Sequence, residues 1–276
     1  MKPGLSVKAG KLLLLALVLA WSLFPILLIV SASFKPATII FDIPPKWLFA
    51  PTLDNYRLLI DQWPDFWRCL KNSLIITIGA TALTVLSSSL AGYVYSRYRG
   101  AALAGSAFFM VVVRMFPPIV ITLPLFPVVN WLRINDTHLL LILLYATFFV
   151  SLSTWIVKAG IDQLPVELEE AAAIDGASLP QVLRLVVLPL IAPTLIASGV
   201  FVFVFAWNEF LFAFIFTTTA AKTAPLLISE MMGSATGVDW GVVFAAATIQ
   251  LLPILLFVML AQKYLVAGLT AGAVKN

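Results

Sequence analysis

The sequence predicts an all-α polytopic membrane protein, and three observations carry that prediction. Hydrophobic residues make up 62% of the chain and charged residues 11%, where a soluble domain carries roughly 45–50% and about 25%. The apolar segments run continuously for about the 20 residues that cross a bilayer, without the alternation of a membrane barrel. Lipid offers no hydrogen-bond partner to backbone N–H and C=O groups, so runs of this kind cross it as helices.

Six spans are expected, at residues 12–33, 72–96, 104–130, 139–159, 191–216 and 241–263, in a single transmembrane domain covering 1–276. The first follows Lys2, Lys8 and Lys11 and ends on Ser31-Ala32-Ser33, which looks like a leader-cleavage site. Its apolar run exceeds the roughly 7–15 residues of a signal core, so it reads as a retained helix. Residues 34–71 are polar and proline-bearing, and Trp47, Trp63 and Trp67 suit a membrane–water interface. Residues 97–103 and 131–138 are short links. Residues 158–190 are amphipathic, and 217–240 form a second sizeable loop.

Several function classes drop out. The net charge of +4 is spread along the chain with no run of Lys or Arg, so no nucleic-acid partner is expected. Cys69 and His138 are the only residues of their types, which excludes an intrachain disulfide and a Cys/His zinc cluster of about four ligands. No GxSxG accompanies His138 and no GxxxxGK[ST] occurs, so neither a serine triad nor P-loop ATP binding is expected. The chain is expected to have no catalytic residue, metal or cofactor of its own.

The segment 164–190 is the most informative. Glu167, Glu169 and Glu170 open a short helical pattern at the end where carboxylates are favoured. Leu168, Ala171, Ala172 and Ile174 offer it a small apolar face, and Gly176 stands where a helix stop wants left-handed geometry. Ser178 and Gln181 have capping-box spacing for a second helix. The result is a helix–glycine turn–helix elbow. Spacing alone leaves two readings open: a rigid knob that transmits a push from a soluble partner, or an amphipathic connector resting on headgroups.

Glu170-Ala171-Ala172, three residues, Gly176, nine residues and Val186-Val187-Leu188-Pro189 resemble the EAA signature of binding-protein-dependent ABC importer permeases. Val186 replaces the usual isoleucine. Pro165 to Ser178, Arg114-Met115-Phe116-Pro117-Pro118, Phe205-Ala206-Trp207-Asn208-Glu209-Phe210 and the tail from Val266 to Lys275 are similar to the carbohydrate branch, the maltose-permease-like subunit with six helices. The resemblance implies the type I importer permease fold. Glu170, Ala171, Ala172, Asp175 and Gly176, with Leu188 and Pro189, would form a cytoplasmic coupling hairpin against an ATPase. Two ATPase copies binding the ATP, a second permease and an extracytoplasmic solute-binding protein, reached through 217–240, would complete the assembly. The implied location is a bacterial inner membrane with both termini cytoplasmic. The basic residues favour that side only slightly, led by the three lysines ahead of the first span.

Polar groups inside spans need a reason, since a charge at mid-bilayer costs at least ~2.5–3.5 kcal/mol. Arg114 lies inside the third span and Asn208 and Glu209 inside the fifth, beside Trp207. These four are candidates for the solute path: the polar three would bond sugar hydroxyls and Trp207 would face a pyranose ring. The competing reading is an Arg114–Glu209 ion pair that only locks two helices. Pro117, Pro118, Pro124 and Pro127 in the third span read either as a hinge or as a static kink. A sugar is the solute expected. Glycerol phosphate, a polyol or a polyamine on the same scaffold is the alternative, and a self-powered transporter or channel would have no need of the elbow.

Overall fold

The computed structural model describes the backbone of residues 5–234 and 237–271 and the side chains of 10–234 and 237–262. The side chains of the 266–275 tail therefore lie outside the described residues. The helices are α1 (Leu5–Ser33), α2 (Asp54–Gln62), α3 (Phe66–Arg97), α4 (Ala101–Met115), α5 (Pro118–Leu132), α6 (His138–Ile161) and α7 (Glu167–Ile174). They continue with α8 (Leu179–Val182), a π-turn (Leu183–Val187), α9 (Leu188–Leu190), α10 (Ala192–Trp207), α11 (Leu211–Phe216), α12 (Ala224–Met232) and α13 (Trp240–Ala271). No strand occurs among the described residues. The fold is all-α, with α1, α3, α6 and α13 each long and apolar enough to cross a membrane.

Two predicted spans are bent rather than straight. The third divides into α4 and α5, which meet at 98°. Pro117 and Pro118 cause the break, because neither donates an N–H and each ring displaces the preceding turn. The fifth divides into α10 and α11, interrupted at Asn208-Glu209-Phe210. Ahead of it, Leu179–Leu190 meets α10 at 78°. Counting each of the two bent pairs as one span gives six in all.

The chain forms two compact units. One comprises residues 1–67 with 227–252. There α2 is tied to the end of α1 by Asn55, whose amide donates to the carbonyls of Ser33 and Lys35 at 2.8 Å each. The most apolar 18-residue stretch of α1 buries none of its residues within the chain, so its apolar side chains are left to pack on lipid or another chain, whereas Ser33 at its end is buried.

The other unit comprises residues 68–226 with 253–276. In it α3 and α6 run parallel, since Asn72 meets His138 at their starts and Ser96 meets Asp162 at their ends. A Cβ at Gly92 would lie 2.9 Å from a Val157 methyl, so glycine lets the two helices touch. Midway along, Ser153 bonds both Ser88 of α3 (2.7 Å) and Ser198 of α10 (2.6 Å). These buried hydroxyls have no water to turn to in lipid, so each finds another hydroxyl. Tyr145, Phe149, Val202, Ala206, Phe212 and Phe216 fill the core between α6, α10 and α11.

One end of this unit is held by Asp136, a left-handed residue at φ 54°. Its carboxylate accepts from the backbone N–H groups of Thr219, Ala220 and Ala221 and from the Thr218 hydroxyl. Burial raises the Asp136 pKa, but the N–H donors of Ala221, Ala220 and Thr219 and the Thr218 hydroxyl outweigh it and hold it below the usual carboxyl range. Asn72 adds bonds to the carbonyls of Ala220 and Lys222. Loop 217–223 is thereby fastened to the starts of α3 and α6.

Because folding lowers this pKa, the stabilisation is complete above the ordinary carboxyl value of 3.8 and is lost as the pH falls below it. Asp136→Asn is expected to cost about 1–3 kcal/mol at neutral pH. Thermal unfolding in detergent should show the gap to the unmodified chain closing as the pH drops below the carboxyl range.

Candidate functional site: an elbow anchored on Arg97 and Glu169

The elbow forms as its residues dictate. Helix α7 ends in the hydrogen-bond pattern of a glycine stop: Ala177 N–H to Ala172 C=O (2.9 Å) and Gly176 N–H to Ala173 C=O (3.0 Å). Gly176 has φ +89°, a conformation that costs an L-residue roughly 1–2 kcal/mol. Gln181 Oε1 then accepts from the Ser178 backbone N–H (2.7 Å) and hydroxyl (2.8 Å), closing the start of α8. Pro189 donates no N–H, and the π-turn before it absorbs that irregularity.

One side of the elbow is packed inward. Ala172, Ala177, Leu183 and Leu188 rest against Val157, Ile161, Val182, Val187 and Ile191. The decisive inward residue is charged. Glu169 Oε1 accepts from Arg97 Nε at 2.7 Å, with side-chain exposures of only 10% and 12%, and Tyr93 donates its hydroxyl to Oε2 at 2.7 Å. Arg97 also donates to the carbonyls of Ile161 and Leu164, at 3.2 Å each. The guanidinium thus joins the end of α3, the end of α6 and the first turn of α7.

A second pair flanks this joint. Asp162 accepts from the Ser96 hydroxyl (2.6 Å) and pairs with Lys158 (2.5 Å). Burial raises its pKa, but Lys158 and Ser96 outweigh that and hold the carboxyl below its usual range.

The apolar face of α7 points mostly outward. Leu168 is 44% exposed and Ile174 86% exposed; Ala171 is exposed too, and only Ala172 turns in. The reason is Arg97: it supplies a buried partner for Glu169, so the helix rotates its carboxylate inward and its apolar stripe outward. Glu170, Asp175 and Gly176 lie on the exposed side with that stripe. Leu188 is half-buried in the packed face, and Pro189 is exposed.

The four solute-path candidates do not converge. Trp207 is 2% exposed and stacked on Phe203 at 6.0 Å and 5°, so in this conformation it packs the bundle and presents no open ring to a sugar. Glu209 and Arg114 form no ion pair. Glu209 instead caps α11, accepting from the N–H groups of Phe212 (2.9 Å) and Ala213 (3.4 Å). The buried Tyr145 hydroxyl makes no hydrogen bond among the described residues. Asn208 is exposed, its amide donating to the Val204 carbonyl at 2.8 Å. Arg114 is exposed in the last turn of α4, ahead of Met115, Phe116 and the prolines of the break.

Sequence reading missed Arg97, Tyr93 and Glu169. A signal was present: Glu169 and Ala172 are three apart and share a helix face, and Arg97 closes a span at the same level. Removing one member of a buried pair strands the other. Glu169→Ala is therefore expected to cost about 3–5 kcal/mol, Tyr93→Phe about 0.5–1.5 kcal/mol, and Glu169→Leu with Arg97→Met much less than Glu169→Ala alone. Denaturation of the detergent-solubilised variants checks all three.

Comparison with known proteins agrees with this architecture. The family model described as "Binding-protein-dependent transport system inner membrane component" matches residues 83–271. The chain is 39% identical over 264 residues to the trehalose/maltose transport system permease protein of Thermococcus litoralis, covering 92% of each. It is 37% identical over 267 residues to the trehalose transport system permease protein of Mycobacterium tuberculosis, covering 94% of this chain and 95% of that one. The diacetylchitobiose uptake system permease protein of Streptomyces coelicolor is 28% identical over 254 residues, with 92% of each covered. The fold also matches a solved bacterial ABC transporter involved in import of the acidic polysaccharide alginate, with a TM-score of 0.77 at 18% identity, covering 96% of this chain and 99% of that one. With the family model matching well over half its length and these relatives covering nearly all of it, the chain belongs to the family of binding-protein-dependent transport system inner membrane components.

Proposed function

We propose that the chain is the permease subunit of an ATP-driven, binding-protein-dependent sugar importer, with its elbow docked on a cytoplasmic ATPase. The observation that carries the docking reading is the outward stripe of Leu168, Ala171 and Ile174 on a helix whose other face is locked by Arg97 and Glu169. An exposed apolar stripe on a rigid helix is costly to leave in water and suits burial in a partner's groove. A connector lying on headgroups would have no use for a buried ion pair beneath it.

Placing the elbow inside puts both termini in the cytoplasm and the loop at 217–240 outside, where a solute-binding protein can reach it. One chain with six spans lines half a pathway, and the unburied α1 supports packing against a second permease. ATP would be bound and hydrolysed by two copies of the ATPase, since this chain has no phosphate loop. The solute class rests on the relatives named for trehalose, maltose and diacetylchitobiose. In this reading Asn208, Glu209 and Arg114 line or brace the path, with Trp207 fixing the helix behind them.

The test is two separate variants, Ile174→Glu and Ala171→Trp, both on the exposed face. Co-purification of the ATPase and sugar uptake into vesicles are expected to fall about tenfold or more, while thermal stability moves by no more than about 0.5 kcal/mol. Undiminished ATPase association in both variants would overturn the docking reading.

A further inference from the structure

Away from the elbow, the unit of residues 1–67 and 227–252 holds an open cleft of about 780 Å³. Its walls are the segment after α1, the end of α2 and the start of α13, and Phe41, Gln62, Trp63, Asp239 and Trp240 line it. We infer that this cleft is a saccharide subsite, in which the Trp240 and Trp63 rings carry the apolar face of a pyranose while Gln62 and Asp239 bond its hydroxyls. The inference deepens the sugar-importer reading and rests on it for the solute class.

Three features support it. The walls are fixed: Asn55 is buried and bonded twice to the end of α1, and a Cβ on Gly241 would lie 2.3 Å from its Oδ1, so α13 starts directly against α2. The rings are presented: Phe41 meets Trp240 edge-on at 5.7 Å and 88°, leaving Trp240 39% and Phe41 63% exposed. The polar groups have capacity left. Asp239 uses Oδ1 to accept from the N–H groups of Gly241 (3.1 Å) and Val242 (3.3 Å), capping α13, so Oδ2 remains for a hydroxyl. The Gln62 amide is exposed and makes no hydrogen bond among the described residues.

A carboxylate oxygen accepts from sugar hydroxyls and an amide both donates and accepts, while indole rings cover C–H faces without rotamer cost. The cleft carries no cation among these lining residues, so a neutral saccharide fits it better than an anion. In the orientation proposed above, the end of α1 and the start of α13 face outside, so the subsite meets solute ahead of the membrane passage.

The experiment is a titration of the full-length chain with maltose and with trehalose, followed by saturation-transfer NMR, in a detergent without a sugar headgroup. Trp240→Leu and Gln62→Ala are compared with the unmodified chain. Binding of at least one sugar is expected, weakened about tenfold or more in each variant, with ATPase co-purification unchanged. No binding to the unmodified chain, or equal binding in all three, would overturn the subsite; if the ATPase still co-purifies, the importer reading stands without it. Loss of ATPase association by the unmodified chain would instead remove the importer reading.

Discussion

A single buried ion pair organises the elbow of this protein. Arg97 and Glu169 are both nearly removed from water, a state that costs several kcal/mol per charge unless partners satisfy it. Here they do: Tyr93 donates to the second carboxylate oxygen, the carbonyls of Ile161 and Leu164 accept from Arg97 Nη2, and the Ser96 hydroxyl accepts from Nη1. The pair therefore does more than stabilise. It selects one rotation of α7, and with that rotation fixes which side chains point outward.

That constraint ties a short amphipathic helix to the long ones. Arg97 ends a 32-residue helix and Ile161 a 24-residue one, and both share the guanidinium with the elbow. The elbow is thus fastened to two long helices at once, through the hydrogen bonds of one guanidinium. Gly176 and the packed Ala172–Ala177 contact prevent the second arm from flexing away. Further along α3 and α6, the glycine contact and the serine cluster keep the two helices in register. At their far end, the Asp136 and Asn72 bonds extend the same rigid body to the loop at 217–223.

Much of this was legible in the amino-acid sequence, for a physical reason. Lipid enforces helices, so apolar runs and their proline breaks translate almost directly into structure, and Gly176 announced its turn because few other residues tolerate it. Where reading along the chain failed, long-range partners decided. The inward turn of Glu169 is hidden from a reading of α7 alone, because its partner Arg97 lies 72 residues away in the chain. Glu209 was set against Arg114 as the nearest opposite charge within the spans, but a helix start at Leu211 lay closer to its carboxylate. Trp207 read as an open platform until its stacking on Phe203 covered it. The 98° bend at Pro117 followed from proline chemistry, whereas its size did not.

The central claim is that α7 and the end of α3 move as one body when the assembled importer turns over. The direct measurement is the distance between spin labels at Ala173 on the elbow, beside the stripe, and Leu90 on α3, both exposed, after replacing the sole cysteine, Cys69, by serine. The account predicts one narrow distance distribution, unchanged between the nucleotide-free and ATP-bound assemblies and broadened by Glu169→Ala. A distance that shifts with nucleotide while Arg97 and Glu169 are intact would contradict it.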